Sequence, residues 1–405
     1  MIMNNINIDF KYAIEHGIID YADVWEKSEN MKRTEYLEKH PHPITLGKDG
    51  YWRTYLPLPD GTRKQVKKKK EKDIQDAVID FWKEQEENPT IREVFEEWNN
   101  RRLRLNKIGE STHLRNIQVY NRHYYKFGSR KIKSIDAEQM QEFLEEQIAE
   151  HDLTAKGYYN LKTITRGFLK HAKRKHLIEF SIEDAIDGAD ISKNDFKIVI
   201  KEDEQEVFSE SEYPIMINYL IENIDIHNLG ILFMFVTGMR VGELVALKYE
   251  DFTEDKVACF VRRTETRYKK DGQYVLEIKD RPKTQAGIRE VVIPEGYQWI
   301  YKELRKMNPF GEYVFMKNGE RLSAQSIRMR MKRICSKLQI YPKPPHKARK
   351  TYVTIARDNN VPEKVITDQV GHTSISCTDK YYYRNRKTIQ TKVNILSNVA
   401  EFKAM

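Results

Sequence analysis

Four consecutive stretches between Thr90 and Ile178 carry apolar residues at helical spacing, and they fix the character of the middle of the chain. TIREVFEEWNNRRL, STHLRNIQVYNRHYYKF, DAEQMQEFLEEQIAEH and TAKGYYNLKTITRGFLKHAKRKHLI each read as a helix. Thr90 (with Glu93), Ser111 and Asp136 are the expected N-caps, because their side-chain oxygens can take up amide protons that a first helical turn leaves unpaired. In the last stretch Leu161, Ile164, Phe168 and Leu169 form a face to bury. Lys162, Arg166 and Lys170 belong to the basic remainder, together with Lys156, Lys173, Arg174 and Lys175.

The segment before these helices has a different period. ITLGKDGYWRTYLPLPDGTRKQVKKKK reads as three short strands separated by the turn signals GKDG and LPDG. EKDIQDAVIDFWKEQ then reads as a helix with Ile74, Val78 and Phe81 on one face. Strand alternation puts Trp52, Leu56 and Val66 under that helix and turns Tyr51, Arg53 and Tyr55 outward, with Arg63, Gln65 and Lys67 sharing the outward face. A small sheet with a basic, aromatic outer face suits a DNA major groove. Residues 1–43 read as a leader with one or two short helices and no assigned chemistry.

Composition agrees with an acidic partner. The 405 residues carry a net charge of +9, with 40% hydrophobic and 32% charged residues. The length suits more than one domain, and the basic balance makes nucleic acid the first partner to consider. No run of 18 apolar residues occurs, so no membrane partner is expected. The three cysteines, Cys259, Cys335 and Cys377, form neither a metal-ligand spacing nor a disulfide framework. With no signal-peptide pattern at the N-terminus, a reducing cytoplasmic setting is expected.

Residues 186–206 are acidic and weakly periodic, and read as a linker. Beyond them, four segments carry chemistry. In LGILFMFVTGMRVGEL an apolar helix is broken at Gly238, which places Arg240 at or near the start of the next helix, where anions are favoured. KTQAG reads as a tight turn between strands YVLEIKD and REVVIP, with Lys283 at its tip. PPHKARKTYVTIA puts His346 and Arg349 three apart on one helical face. PEKVITDQVGH reads as a helix closed at Gly371, with His372 just beyond it. Tyr381 follows nine residues later and opens the run YYY.

This ordered set, TGMRVGEL, KTQAG, HKAR and GH followed at nine by tyrosine, resembles the tyrosine recombinase or phage integrase family. The resemblance covers nearly all the chain beyond residue 43. It is nearest in layout to integrases of conjugative transposons and temperate phages. It implies a multidomain, mainly α chain. Residues 44–86 would be an arm-site DNA-binding domain, a three-stranded sheet plus helix. Residues 90–185 would be a helical core-site DNA-binding domain, and 207–405 a mixed α+β catalytic domain ending in a helix. Arg53, Tyr55, Arg63, Gln65, Lys67, Lys162, Arg166 and Lys170 become candidate DNA contacts.

The same resemblance assigns Arg240 and Arg349 to the phosphate oxygens. His346 and His372 would hold the phosphate and manage the tyrosine proton, Lys283 would act as general acid, and Tyr381 as nucleophile. The implied product is a 3′-phosphotyrosyl bond and a free 5′ hydroxyl, with neither metal nor ATP required. Expected partners are double-stranded attachment sites, a homotetramer around a Holliday junction, an excisionase and a DNA-bending host protein, in a nucleoid-associated setting. Two other readings use the same residues: a type IB topoisomerase-like enzyme, and a non-catalytic DNA-binding regulator of the same fold.

Overall fold

The computed structural model describes His16 and residues 20–58, 61–200, 202–280, 288–372 and 382–399. Its contacts divide the chain into two compact units, Met1–Ile198 and Val199–Met405.

Among the described residues the first element of this unit is the long helix α1 (Tyr21–Lys39), within the stretch that the sequence reading gives one or two short helices. Strands β1 (Thr45–Leu46), β2 (Trp52–Pro57) and β3 (Arg63–Lys68) form an antiparallel sheet in that order. Helix α2 (Glu71–Glu87) packs on β2 and β3. The expected alternation holds on β2: Thr54 and Leu56 are buried, and Tyr55 pairs with Gln65 across from β3. On α2 the buried residues are Ile74, Val78 and Ile79, whereas Phe81 stays half-exposed. The helix is thus turned slightly, and Ile79 replaces Phe81 in the apolar stripe. Tyr36 and Lys39 of α1 reach Glu86 of α2 at 2.8 and 2.9 Å.

Helices α3 (Ile91–Arg104), α4 (Glu110–His123), α5 (Ala137–Glu150), α6 (Ala155–Arg174) and α7 (Ile182–Asp187) build a helical core. Thr90 and Glu93 form a reciprocal capping box on α3, and Asp136 caps α5 through Gln139 N. Ser111 is no cap. Helix α4 begins earlier, with Gly109 in the N-cap position, and Ser111 already lies inside it. Leu161, Ile164, Phe168 and Leu169 of α6 are at most 3% exposed, as the apolar stripe requires. Each such burial is worth about 1.5–3 kcal/mol. Phe95 stacks on Tyr120 at 4.0 Å, and the buried Tyr124 hydroxyl meets Thr165 Oγ1 at 2.6 Å. Ile186 belongs to this core, and Ile191 and Phe196 pack on it. Much of the segment read as linker is therefore part of the helical unit, tied by Lys197 N to Leu153 O at 2.9 Å.

The second unit begins with the short α8 (Asp203–Glu206), followed by α9 (Glu212–Glu222) and α10 (Ile226–Thr237). Helix α10 is buried along nearly its whole length and forms the axis of the core. After it come α11 (Val241–Leu244), β4 (Ala258–Val261), β5 (Thr264–Lys270), β6 (Gln273–Lys279) and β7 (Arg289–Val292). Then follow α12 (Trp299–Met307), β8 (Met316–Lys317), β9 (Glu320–Arg321), α13 (Ala324–Lys337), α14 (His346–Asp358), α15 (Glu363–Val370) and α16 (Ile389–Ser397).

The strands flanking KTQAG do not pair with each other among the described residues. β6 pairs with β5 through a turn at Asp271 and Gly272, both at positive φ, while β7 pairs with β4. Asp-Gly at that turn is a strong local hairpin signal, because both central residues of the tight turn need positive φ. No helix among the described residues is long and apolar enough to cross a membrane.

Candidate functional site

In the second unit the backbone breaks anticipated from glycine place the site. Helix α10 ends at Gly238, φ 69°, whose N–H donates to Met234 O at 3.0 Å. A Cβ there would lie 2.7 Å from Tyr352 Cδ1. The turn hands the chain to Arg240, which is the N-cap of α11. Gly238→Ala is therefore expected to cost at least about 1–2 kcal/mol from the left-handed backbone alone. The clash with Tyr352 would also displace Arg240. A scan of thermal unfolding should show the midpoint fall.

Arg240 is held by Glu243. Its backbone N–H donates to Glu243 Oε2 at 2.9 Å and its Nη1 to Oε1 at 2.8 Å. Glu243 is buried and also receives Nη1 and Nη2 of Arg289, at 3.2 and 2.8 Å. Arg289 Nε in turn donates to Gln369 O at 2.9 Å. Burial raises the Glu243 pKa, but Arg289 and then Arg240 overcome it and hold the carboxyl at about 2. Sequence reading missed Glu243 and Arg289. The available signal was an acid three residues after an arginine at a helix start, which more often marks a solvated face.

Arg349 is fully buried on the first turns of α14. Its Nη1 donates to Gly238 O at 2.7 Å, and its Nη2 to Val370 O and to His372 Nε2, the latter at 2.8 Å. Its Nε has no partner within the protein. Burial first, and then the charge of Arg240, bring the guanidinium pKa down to about 9. An uncompensated cation with a free donor calls for an anion.

His346 opens α14 and keeps an exposed edge. His372 follows Gly371, the left-handed cap of α15 at φ 66°. Desolvation and then the Arg349 charge push His346 down to about 4 and His372 to about 3, so both rings are neutral near pH 7. Arginine offers no acceptor, so His372 Nε2 accepts from Arg349 and its proton sits on Nδ1.

Tyr382 completes the cluster. Its ring centroid lies 4.2 Å from that of His372 and 5.2 Å from that of His346, and the Arg349 guanidinium carbon is 5.5 Å from it. Burial lowers the Arg240 pKa, but Glu243 and then the nearby Tyr382 raise it. Tyr383 points elsewhere, its hydroxyl donating to Asp358 Oδ1 at 3.3 Å. Of the six sequence candidates, Arg240, His346, Arg349 and His372 meet here, whereas Lys283 and Tyr381 lie outside the described residues.

A carboxylate anchors α14 from behind. Glu206 of α8 is buried and takes the ammonium groups of Lys347 and Lys350, which flank Arg349. Phe208 N donates to Thr351 Oγ1 at 2.9 Å, which strengthens the same attachment. Among the described residues no cluster of three His, Cys, Asp or Glu side chains is placed to hold a metal ion.

The candidate DNA contacts of the first unit are only partly free. On the sheet, Arg63 lies over the Tyr55 ring at 4.5 Å, Lys67 over Tyr51 at 4.2 Å, and Gln65 donates to the Tyr55 hydroxyl at 3.2 Å. The patterned face therefore exists, but Asp49 pairs with both Arg53 and Lys67. On α6, Lys162 and Arg166 both pair with Asp187, at 2.5 and 2.6 Å, whereas Lys170 is exposed. A hollow beside it is lined by Trp98, Arg102, Arg166, Lys170, His171 and Arg174. The sequence reading did not single out Arg102.

Residues 206–388 match the phage integrase family. A tyrosine recombinase XerC-like protein of Caldanaerobacter subterraneus subsp. tengcongensis is 30% identical over 229 residues, 49% of this chain and 58% of the relative. The chain spans about half the length of the curated relatives it matches. The integrase of the Tn1549 transposon, solved with a circular intermediate DNA, aligns with a TM-score of 0.59 at 18% identity. That alignment covers 77% of this chain and 99% of the other. A lambda integrase dimer bound to a core site aligns at 0.53 with 13% identity, over 86% of this chain and 95% of the other. At these identities the structural likeness is one of fold.

Proposed function

We propose that this protein is a site-specific recombinase, a reading supported by the match of residues 206–388 to the phage integrase family and by the similarity to a tyrosine recombinase XerC-like protein. It would cut and rejoin DNA through a 3′-phosphotyrosyl bond to integrate and excise a mobile element. One observation carries the reading. Arg240, His346, Arg349 and His372, spread over more than a hundred residues of sequence, converge on a tyrosine ring.

The chemistry follows from that convergence. A phosphodiester brings one negative charge, and attack by a phenol oxygen adds more in the transition state. Arg240 and the free Nε of Arg349 are donors for the non-bridging oxygens, each donor of this kind typically being worth roughly 3–4 kcal/mol. The neutral imidazoles sit where the phenol proton must go. Lys283 is the proposed donor to the departing 5′ oxygen, an assignment supported by the KTQAG motif. The phosphodiester energy stays in the new bond, so the 5′ hydroxyl can reverse the step without ATP or a metal ion.

The wider assembly is also part of the proposal: arm-type and core-type DNA sites, a tetramer around a Holliday junction, and an excisionase with a DNA-bending host protein. The lambda integrase, a protein of similar fold, has been solved as a tetramer on a Holliday junction. Helix α16 exposes Ile389, Val393, Ile395 and Leu396, an apolar face suited to a neighbouring protomer. A conjugative transposon is the proposed element, in keeping with the likeness to the Tn1549 integrase, and the cytoplasmic nucleoid the proposed location.

The test uses a nicked suicide duplex carrying the element's end, incubated with the purified chain in EDTA. A covalent protein–DNA product on a denaturing gel, joined through the 3′ phosphate, is expected. Its absence on DNA that the protein binds would leave the regulator reading in place.

A further inference from the structure

We propose that the nucleophilic hydroxyl belongs to Tyr382, the middle tyrosine of the run, and not to Tyr381, which the nine-residue spacing from His372 selects. This rests on the recombinase reading above and adds to it the identity of the attacking atom.

The argument begins with placement. The Tyr382 ring lies among His372, His346 and Arg349, close enough to Arg240 to raise its pKa after burial and Glu243 have acted. A phosphate held by Arg240 and the free Nε of Arg349 would therefore lie beside the Tyr382 side chain. Below the ring, Val353, Ala356, Ile366 and Val370 form a small buried cluster against which Tyr382 packs. The aromatic body is thus seated in the unit's own core while its polar end meets the cationic site. That division suits a side chain that must be both fixed and reactive.

The backbone that follows this position is pinned. Thr354 Oγ1, one turn beyond Lys350 on α14, donates to Tyr382 O at 3.4 Å and accepts from Arg384 N at 3.3 Å. Further on, Glu210 takes the amide and hydroxyl of Thr388 at 2.8 and 2.9 Å, and Glu210 N donates to Arg386 O at 3.0 Å. For Tyr383 to bring its hydroxyl to the same place, the chain would have to slip by one residue. A slip of about 3.3 Å would break both Thr354 bonds. In non-helical chain, side chains one apart also point to opposite sides. Tyr383 obeys this rule, since its hydroxyl leaves the site for Asp358.

In the forward step the Tyr382 Oη–phosphorus bond forms and the bond from phosphorus to O5′ breaks. The phenol proton passes to a neutral base in the site, for which His346 has an open edge, since the nearer His372 already accepts from Arg349 through Nε2. One proton is returned to O5′ by the general acid, so charge and atoms balance. Spacing alone could not find this residue. Three identical side chains in succession hide which parity faces the site, and only the Thr354 contacts set it.

The experiment is peptide mapping of the covalent adduct formed on the suicide duplex, together with the phenylalanine variants, each of which removes only a hydroxyl. The expected result is a phosphonucleotide on Tyr382, loss of adduct by at least a thousandfold in Tyr382→Phe, and retention in Tyr383→Phe. DNA affinity and thermal unfolding of Tyr382→Phe should match the parent, which a merely structural role would not allow alongside such a loss. An adduct on Tyr381 or Tyr383 overturns this inference and leaves the recombinase reading standing. No adduct from the unaltered chain on bound DNA takes both down.

Discussion

Arg349→Lys is expected to slow DNA cleavage by about a hundred- to a thousandfold while DNA affinity changes by less than about threefold. Lysine keeps the charge but loses the planar fork. In this site the fork is fully used. Two of its nitrogens hold Gly238 O, Val370 O and His372 Nε2, and the third, Nε, is the donor left over for a phosphate oxygen. An ammonium group cannot reach the two carbonyls and a phosphate at once. Arg349 itself is fully buried, so affinity should hold.

The same variant tests whether Arg349 is also structural. Leaving a buried carbonyl unpaired costs about 1–3 kcal/mol, and Gly238 O and Val370 O belong to the two helix ends that present Arg240 and His372. A modest fall in unfolding temperature is therefore expected beside the large fall in rate. Single-turnover cleavage on the suicide duplex separates the two effects. If rate and stability fell in proportion, and the rate returned on cooling, Arg349 would be a strut and not a phosphate ligand.

Much of this site could be read from residue order because its parts are local. Gly238 and Gly371 end helices for a conformational reason that one residue carries, and each delivers the next functional side chain. His346 and Arg349 lie three apart on one helix, so their shared face needs no tertiary information. What escaped was non-local. The strands around KTQAG pair with β4 and β5, and no local pattern in REVVIP selects β4. Lys162 and Arg166 look like a free basic face until Asp187, from another helix, is seen to take both. The acidic stretch after Ile182 reads as linker from its charge. Ile186, Ile191 and Phe196 are too sparse to give a period, yet they suffice to pack it on the helical core. Tyr382 belongs to the same class, since its place is set by Thr354 on a helix that precedes it by 28 residues.

Glu243→Gln is expected to produce the largest loss of stability in the second unit. The carboxylate is buried between two guanidinium groups, and removing its charge leaves Arg240 and Arg289 without their counter-ion. Breaking a buried pair in this way costs about 3–5 kcal/mol. The pH dependence fixes the sign. The Glu243 pKa lies at about 2 in the folded chain, below an ordinary value of 4.5. Its stabilisation is therefore complete above pH 4.5 and is lost as pH falls toward 2, about 3 kcal/mol in all. Chemical denaturation at pH 7 and at pH 3.5 should show the parent losing stability between the two, and Glu243→Gln losing less. Arg289→Met in the same background should recover part of the loss, since one stranded charge is then removed and a double-mutant cycle reads the coupling. Arg240 would still lack its anchor, so cleavage should stay low even where stability returns. That split would identify Glu243 as the group that aims Arg240 at the phosphate; recovery of cleavage along with stability would reduce it to a part of the core.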